Sequence, residues 1–488
     1  TCTRNLLIMI KNLTYQLIHF YEVFISFFSV AFILIYISLS LLSYYAILKH
    51  LRYQKFISED ILTRSNHLLG VSIVAPAFNE GVNIVYNVKS LLSLTYPKFE
   101  IIIVNDGSTD DTLSKLITEF ELVKIDFYYQ EKIVTKTVRG HYKSTNPIYS
   151  KLLVVDKENG KSKADASNAG INSSKYPLFI CTDVDCILKR DTILKLAKPF
   201  MENETKVIAT GAGIRISNSC EIKDGFLHKV HFPKDWYPRF QELEYVRSFL
   251  FGRMAWSQIN GLLLVSGGLG MFDKEIAIKV GGYWHKSLGE DMELITRMRK
   301  YMHENKQKFL IKYIPESLCW TEVPGSREVL IRQRTRWARG LAQTLFLHRK
   351  MFFKPKYGGT AFLILPYFFI FEFLVPIIEF IGIVLLIAGI ITGSLNTEHL
   401  IIMSAFVYLF YLLITLVSIM IDDLLYKSYA NYKELMVLIF MAIIEPFVYH
   451  PLNVYASLKG YWFFFRQTEQ KWGVMVRKGY ATTQKLTP

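Results

Sequence analysis

The chain has 488 residues, 51% apolar and 15% aromatic, with a formal net charge of +15. It is long enough for a large domain plus a second module, and too apolar for an ordinary soluble protein, so membrane segments are sought first. The five cysteines (Cys2, Cys181, Cys186, Cys220 and Cys319) are odd in number and include no Cys-x-x-Cys. That argues against a disulfide scaffold or structural zinc and for reduced, mostly buried thiols. Paired Cys/His fingers and an RNP-type aromatic strand are missing, so nucleic acid is not an expected partner. The positive charge is assigned to anionic lipid headgroups and the cytoplasmic Lys/Arg excess of membrane proteins.

Residues 22–47 carry one charge, Glu22, and are long enough to cross ~30 Å of hydrocarbon. The run exceeds a signal-peptide core, and no small-residue cleavage site comes after it. Lys49, His50, Arg52 and Lys55 stand directly beyond the run, which predicts that the region downstream of the span is cytoplasmic.

From 71 to 350 short apolar strands alternate with helical patterns. VSIVAP at 71–76, IIIVN at 101–105, LLVV at 152–155 and LFICT at 178–182 read as buried strands. Helices fit at roughly 82–94 and 110–120. The alternation predicts an α/β fold with a mostly parallel sheet covered on both faces. Ligands of such sheets bind beyond the carboxyl ends of the strands.

Residues 360–393 and 398–421 are again apolar. Pro366 and Pro376 suggest an interfacial helix leading into a span at about 373–393. A third apolar stretch, 435–465, is broken by Glu445, Pro446, His450 and Pro451 and reads as a kinked or re-entrant segment. The basic tail (Lys471, Arg477, Lys478, Lys485) is expected in the cytoplasm. The predicted organisation is 1–50 as N-terminal segment and span, 51–358 as cytosolic domain, 359–465 as membrane region and 466–488 as tail.

Polar sequences stand at the predicted strand ends. The first strand runs into Phe78-Asn79-Glu80-Gly81, where Asn79 suits an N-cap. The second ends in Asn105-Asp106-Gly107-Ser108, in which Asp106 can accept bonds from a ligand, or form a plain turn. The fourth enters Thr182-Asp183-Val184-Asp185. Strand alternation would put Asp183 and Asp185 on one face, a pair of hard oxygen ligands for Mg²⁺ or Mn²⁺. Gly289-Glu290-Asp291 opens a helix, and Asp291 reads equally as a dipole-favoured cap or a proton acceptor. In Gln333-Arg334-Thr335-Arg336-Trp337, Arg336 suits a diphosphate and Trp337 a sugar face, while a basic aromatic interface helix explains the same residues.

The ordered set resembles the processive family 2 membrane glycosyltransferases, such as cellulose, hyaluronan and poly-N-acetylglucosamine synthases, over roughly residues 20–480. Asp156-Lys157-Glu158-Asn159-Gly160 and Lys163-Ala164-Asp165-Ala166-Ser167-Asn168-Ala169-Gly170 are similar to bacterial members. The resemblance implies a GT-A-like domain with transmembrane helices. By it, Asp106 contacts the nucleotide base beside Phe78 and Glu80. Lys163, Asp183, Asp185 and Arg336 hold the donor, with Mg²⁺ or Mn²⁺ on Asp183 and Asp185. Asp291 is the general base. Ser266, Gly267, Glu290, Gln333 and Trp337 serve the acceptor.

The implied activity is inverting transfer from a UDP-sugar that extends and exports a β-linked polysaccharide. The setting is the inner membrane of a bacterium, multi-pass, with the catalytic domain cytosolic. The alternative is a single transfer to a lipid-linked acceptor. The expected partners are the UDP-sugar, the growing polysaccharide and the bilayer. With one span before the catalytic region, a homo-oligomer or accessory membrane subunit is left open. The stretch after Trp472 leaves no room for a cyclic-dinucleotide-binding barrel, and the gating-loop motif of cellulose synthase is not evident.

Overall fold

The computed structural model describes residues 2–54, 68–223, 226–426 and 432–468. Lys55 and the basic residues Lys471, Arg477, Lys478 and Lys485 lie outside the described residues. The first helix, α1 (Cys2–Gln54), contains the predicted span but runs past it. Lys49, His50 and Arg52 therefore ride on its last turns instead of in a loop.

The strands are β1 (Val71–Ala77), β2 (Phe99–Asp106), β3 (Leu122–Ile125), β4 (Val138–Ser144), β5 (Leu152–Lys157) and β6 (Leu178–Thr182). After them come β7 (Ile187–Leu188), β8 (Val207–Ile216), the small hairpin β9 (Glu221–Lys223) and β10 (Phe226–Lys229), then β11 (Leu269–Asp273) and β12 (Leu310–Thr321). Ten of them form one sheet in the order β3-β4-β5-β2-β1-β6-β11-β8-β12-β7. Strands β5, β2, β1 and β6 are parallel, as their uniform burial and apolar runs require. Beyond them β11 runs antiparallel to both β6 and β8. The sheet is thus mixed, with a parallel heart. The outer strands escape a reading by apolar runs because β4 and β12 interleave polar and apolar residues.

The helices that matter for the site are α2 (Ile84–Leu92), α3 (Thr112–Glu119), α4 (Lys163–Ser173), α5 (Trp236–Tyr245), α6 (Glu290–Glu304) and α7 (Arg327–Leu347). The apolar helices are α8 (Val375–Thr392), α9 (Thr397–Tyr426), α10 (Tyr432–Val448) and α11 (His450–Phe465). Three described helical segments are long and apolar enough to cross a membrane: Met9–Arg52, Thr360–Thr392 and Thr397–Tyr426. The pair α10–α11 bends by 45° at its break, the kink that Pro446 and Pro451 favour. The chain thus combines an α/β unit built on a mixed sheet with helices long and apolar enough to cross a membrane.

Several contacts among the described residues tie the apolar helices to the sheet unit, ion pairs such as Arg215–Asp422 and Arg247–Glu445 included. The Ser43 hydroxyl of α1 donates to the Leu250 carbonyl at 2.8 Å. On α11, Gly460 lies so close to α7 that a Cβ there would stand 2.5 Å from the Thr335 carbonyl oxygen. The four described thiols outside residue 2 are free, and Cys181, Cys186 and Cys319 are buried.

Candidate active site

The parallel strands β1, β2, β5 and β6 all end on one edge of the sheet. Strand β11 begins at that same edge, because Leu269 pairs with Thr182 in antiparallel register. The loops after four strands and before a fifth therefore converge.

The first two loops are stitched together. Asn79 takes a left-handed conformation, φ 55°. Its side-chain oxygen accepts from the Thr109 amide at 2.8 Å, and its own amide donates to Ser108 Oγ at 3.0 Å. Asn79 is not the expected helix cap: α2 begins only at Ile84, and the αL backbone turns the Asn79 side chain toward the neighbouring loop. Glu80 donates its amide to Thr112 Oγ1 at 2.9 Å, and Phe78 is 47% exposed at the edge.

Asp106, at the end of β2, is buried. Its Oδ1 accepts from Lys157 Nζ at 2.6 Å and from the Gly160 amide at 3.0 Å. Lys157 is fully buried and also meets Asp165 at 2.5 Å. Burial pushes the Asp106 carboxyl above the usual carboxylate range, against the pull of Lys157 and Gly160. Gly107 is needed here twice over: its φ is 65°, and a Cβ would stand 2.7 Å from the Asn159 amide nitrogen.

Asp183 and Asp185 do come together, but not by strand alternation. Strand β6 stops at Thr182, and the pair sits in a tight turn closed by the Cys186 amide donating to the Asp183 carbonyl at 3.0 Å. Asp183, Asp185 and Cys186 offer ligand atoms all within 4.8 Å of one another. The two carboxylates are the hard donors that Mg²⁺ or Mn²⁺ takes, so this corner fits such an ion. Lys163, at the start of α4, reaches Asp183 Oδ1 at 2.5 Å and donates to the Gly267 carbonyl at 2.7 Å. Burial works against its charge, but Asp183, the Cys181 thiol and Glu290 outweigh it and hold the ammonium well above the usual lysine range.

The Ser266-Gly267-Gly268 loop lies over this corner. Ser266 has φ 135°, a strained value for a residue with a side chain. A Cβ on Gly267 would stand 3.2 Å from Asp291 Oδ2 and 3.9 Å from Lys163 Nζ. Asp291 and Lys163 therefore face the same stretch of backbone, and Asp183 is joined to it through Lys163. Beside Asp291, buried Glu290 is pushed up by burial and then by the Asp291 charge, while Lys163 and Arg336 pull it back. That places the Arg336 guanidinium within electrostatic reach of Glu290. Trp337 is 40% exposed on α7, and Gln333 Oε1 is buried without a partner among the described residues.

Three supporting residues were given no role by sequence reasoning. Lys157, after Asp156 at the end of β5, pairs its one ammonium with both Asp106 and Asp165. Asn168 clamps the Tyr283 backbone with two bonds of 2.8 Å, donating to its carbonyl and accepting from its amide. Gly282 between them has φ 68°, and a Cβ there would strike the Asn168 side chain. The signal for Lys157 was its position, a lone cation next to a strand-end carboxylate. Asn168 and Tyr283 are 115 residues apart and carry no local signal.

Residues 72–146 match the family described as "Glycosyl transferase family 2", and residues 181–421 match "Glycosyl transferase family group 2". A poly-beta-1,6-N-acetyl-D-glucosamine synthase of Staphylococcus epidermidis is 29% identical over 290 residues, 59% of this chain and 58% of that protein. Its counterpart in Staphylococcus aureus strain COL is 28% identical over 300 residues, covering 61% and 60%. The match thus spans less than two thirds of these relatives. Among solved structures, the mannosyltransferase PcManGT from Pyrobaculum calidifontis, in complex with GDP-Man and Mn2+, is 16% identical. It covers 90% of this chain and 99% of its own, with a TM-score of 0.44. With both family matches falling on the strand-end loops and helices that build this corner, the chain belongs to the family 2 glycosyltransferases.

Proposed function

We propose that the chain is an inverting polysaccharide synthase that transfers a sugar from a UDP-sugar to the growing end of a β-linked polymer, at the inner membrane of a bacterium. The observation that carries this is the gathering of Asp291, Lys163 and Asp183 around the Gly267-Gly268 backbone. The names of the relatives, poly-beta-1,6-N-acetyl-D-glucosamine synthases, support a polymer as product and N-acetylglucosamine as its unit.

In this reading Asp106 accepts from the nucleotide base, with Phe78 and Glu80 beside it. A Mg²⁺ or Mn²⁺ ion held by Asp183 and Asp185 would neutralise the diphosphate of the donor. Lys163 and Arg336 add positive charge on the same side, where the leaving UDP gathers negative charge. Asp291 takes the proton of the acceptor hydroxyl as that oxygen attacks the anomeric carbon. The C–O bond to the sugar forms as the bond to the diphosphate breaks. One displacement inverts the centre, and no second carboxylate is needed as nucleophile. Ser266, Gly267, Glu290, Gln333 and Trp337 line the acceptor side, with Trp337 as a stacking platform.

The segment 51–358 faces the cytosol, residues 359–465 form the membrane region together with the span in 1–50, and 466–488 is a cytosolic tail. The test is direct. Purified chain in lipid is given a panel of nucleotide sugars, and released UDP and product size are measured. Release of UDP with a long product supports the reading. A mono- or disaccharide on a lipid carrier replaces it with single-step transfer, and no UDP release from any donor overturns it.

A further inference from the structure

Arg334 lies between the two residues singled out on α7, Gln333 and Trp337, and its side chain is only 6% exposed. Its guanidinium carbon sits 4.1 Å from the centre of the Trp337 ring. Its Nη2 donates to Glu244 Oε2 at 2.8 Å and to the Tyr449 hydroxyl at 2.9 Å. The Tyr449 hydroxyl in turn donates to Glu244 Oε2 at 2.5 Å. Tyr449 stands at the junction of α10 and α11, the break bent by 45°, and its ring stacks on Phe240 at 5.3 Å. The Arg334 atoms Nε and Nη1 have no partner among the described residues.

This is an unusual use of a buried arginine. An arginine kept for stability alone commonly spreads its fork across a carboxylate in two bonds. Here one nitrogen takes both partners, and the planar group is turned so that it covers the indole. Trp337 thereby has one face held by a fixed cation and keeps 40% of its surface open. The cation is fixed in turn by a tyrosine at the break of two apolar helices.

We propose that Arg334 is a positioning residue for Trp337, setting the plane of the indole and holding it in register with the α10–α11 junction. The proposal rests on the reading of Trp337 as the acceptor platform. Arg334 need not touch the sugar. It fixes where the sugar stacks relative to the membrane helices beyond it. A lysine would keep the charge near Glu244 but not the plane over the indole.

The experiment uses the full chain in lipid and a short oligosaccharide primer cut from its own product. Arg334→Lys, Tyr449→Phe and Trp337→Ala are compared with wild type. The readouts are primer KM, product length, donor hydrolysis to water and unfolding temperature. Arg334→Lys is expected to raise the primer KM about tenfold, the size of one cation–π contact, and to shorten the product. Donor hydrolysis should stay within about twofold, because the donor corner is built from other residues. Tyr449→Phe keeps the Arg334–Glu244 pair but loses the link to the junction, and should also shorten the product.

If Trp337→Ala raises the primer KM and Arg334→Lys leaves it at the wild-type value, the inference fails while the platform reading stands. If Trp337→Ala changes neither primer KM nor length, the platform reading falls and the inference with it. If Arg334→Lys does not fold, Tyr449→Phe decides, and a wild-type length distribution in that variant overturns the proposal.

Discussion

A Cβ placed on Gly340 would fall 2.6 Å from the Gly289 backbone nitrogen, so the two glycines touch backbone to backbone. This contact seats the N-terminus of α6, with Glu290 and Asp291, directly on α7. Trp337 is one turn earlier on α7, so the same contact sets the distance between the proposed base and the proposed acceptor platform.

Gly340→Ala should therefore separate stability from activity. Alanine favours a helix interior by up to ~1 kcal/mol over glycine. The clash is with backbone, which cannot swing away, and overpacking costs about 1–3 kcal/mol. The expected result is folded protein with kcat reduced at least about tenfold, because small misplacements of a reacting group are costly. Measuring kcat beside UDP affinity checks it: unchanged kcat would mean that the Gly289–Gly340 contact does not set the position of Asp291.

Asp291→Asn should remove transfer and spare nucleotide binding. The carboxylate already accepts from the Met292 amide at 2.8 Å through Oδ1, and its Oδ2 faces Gly267. Asparagine keeps that shape but cannot take a proton. A loss of about 10²–10⁴ in kcat is the size of general-base help. UDP titration of the mutant should give a near-wild-type Kd, and wild-type turnover would remove Asp291 from the role of base.

Glu316 gives a prediction in pH. It lies on β12, 3.7 Å from His50 on α1, and bonds Lys195. Burial pushes this carboxyl up, but His50 and Lys195 outweigh it and draw its pKa from 4.5 down to about 2. A depressed carboxyl is protonated later in the folded than in the unfolded state. Its contribution is therefore full above pH 4.5 and is lost as the pH falls through about 2. Glu316→Gln should lower the Tm at pH 7, and the gap to wild type should narrow as the pH falls from 4.5 toward about 2. A gap that stays constant with pH would show that the ionised carboxylate contributes nothing.

Much of this site was legible in the sequence because strand ends carry short, local signals. Asp106 comes after an unbroken apolar strand, and Asp183 and Asp185 after another, so both were placed on one sheet edge. The face shared by Asp183 and Asp185 was argued from the pleat, whereas a turn after Thr182 produces it. Asn79 shows the limit of cap rules: its αL backbone is imposed by the neighbouring loop, which no local pattern reveals. The Gly289–Gly340 contact joins residues 51 positions apart, and neither glycine stands in a turn motif that would announce it. The antiparallel strand β11 was missed for a similar reason. It is five residues long and pairs with β6 across 87 residues, from Thr182 to Leu269.

The last prediction concerns the metal. Asp183 is shared between two claims: the Lys163 ammonium at 2.5 Å, and any ion held with Asp185. A divalent cation brings two positive charges toward a carboxylate that already has one. Binding should therefore be weaker than two free carboxylates would allow, and tighter when Lys163 is neutral. Mn²⁺ titration of the purified chain, followed by its paramagnetic resonance signal without any sugar donor, reads this apart from turnover. Asp185→Asn should lose most of the affinity, since Asp185 is the buried member of the pair. Lys163→Met should bind Mn²⁺ more tightly than wild type and yet transfer sugar more slowly, because Lys163 also supports the leaving diphosphate in the proposed mechanism. Equal Mn²⁺ affinity in wild type and Asp185→Asn would place the ion elsewhere. Full activity in excess chelator would remove the ion from the reaction and leave Lys163 and Arg336 as the charges facing the diphosphate.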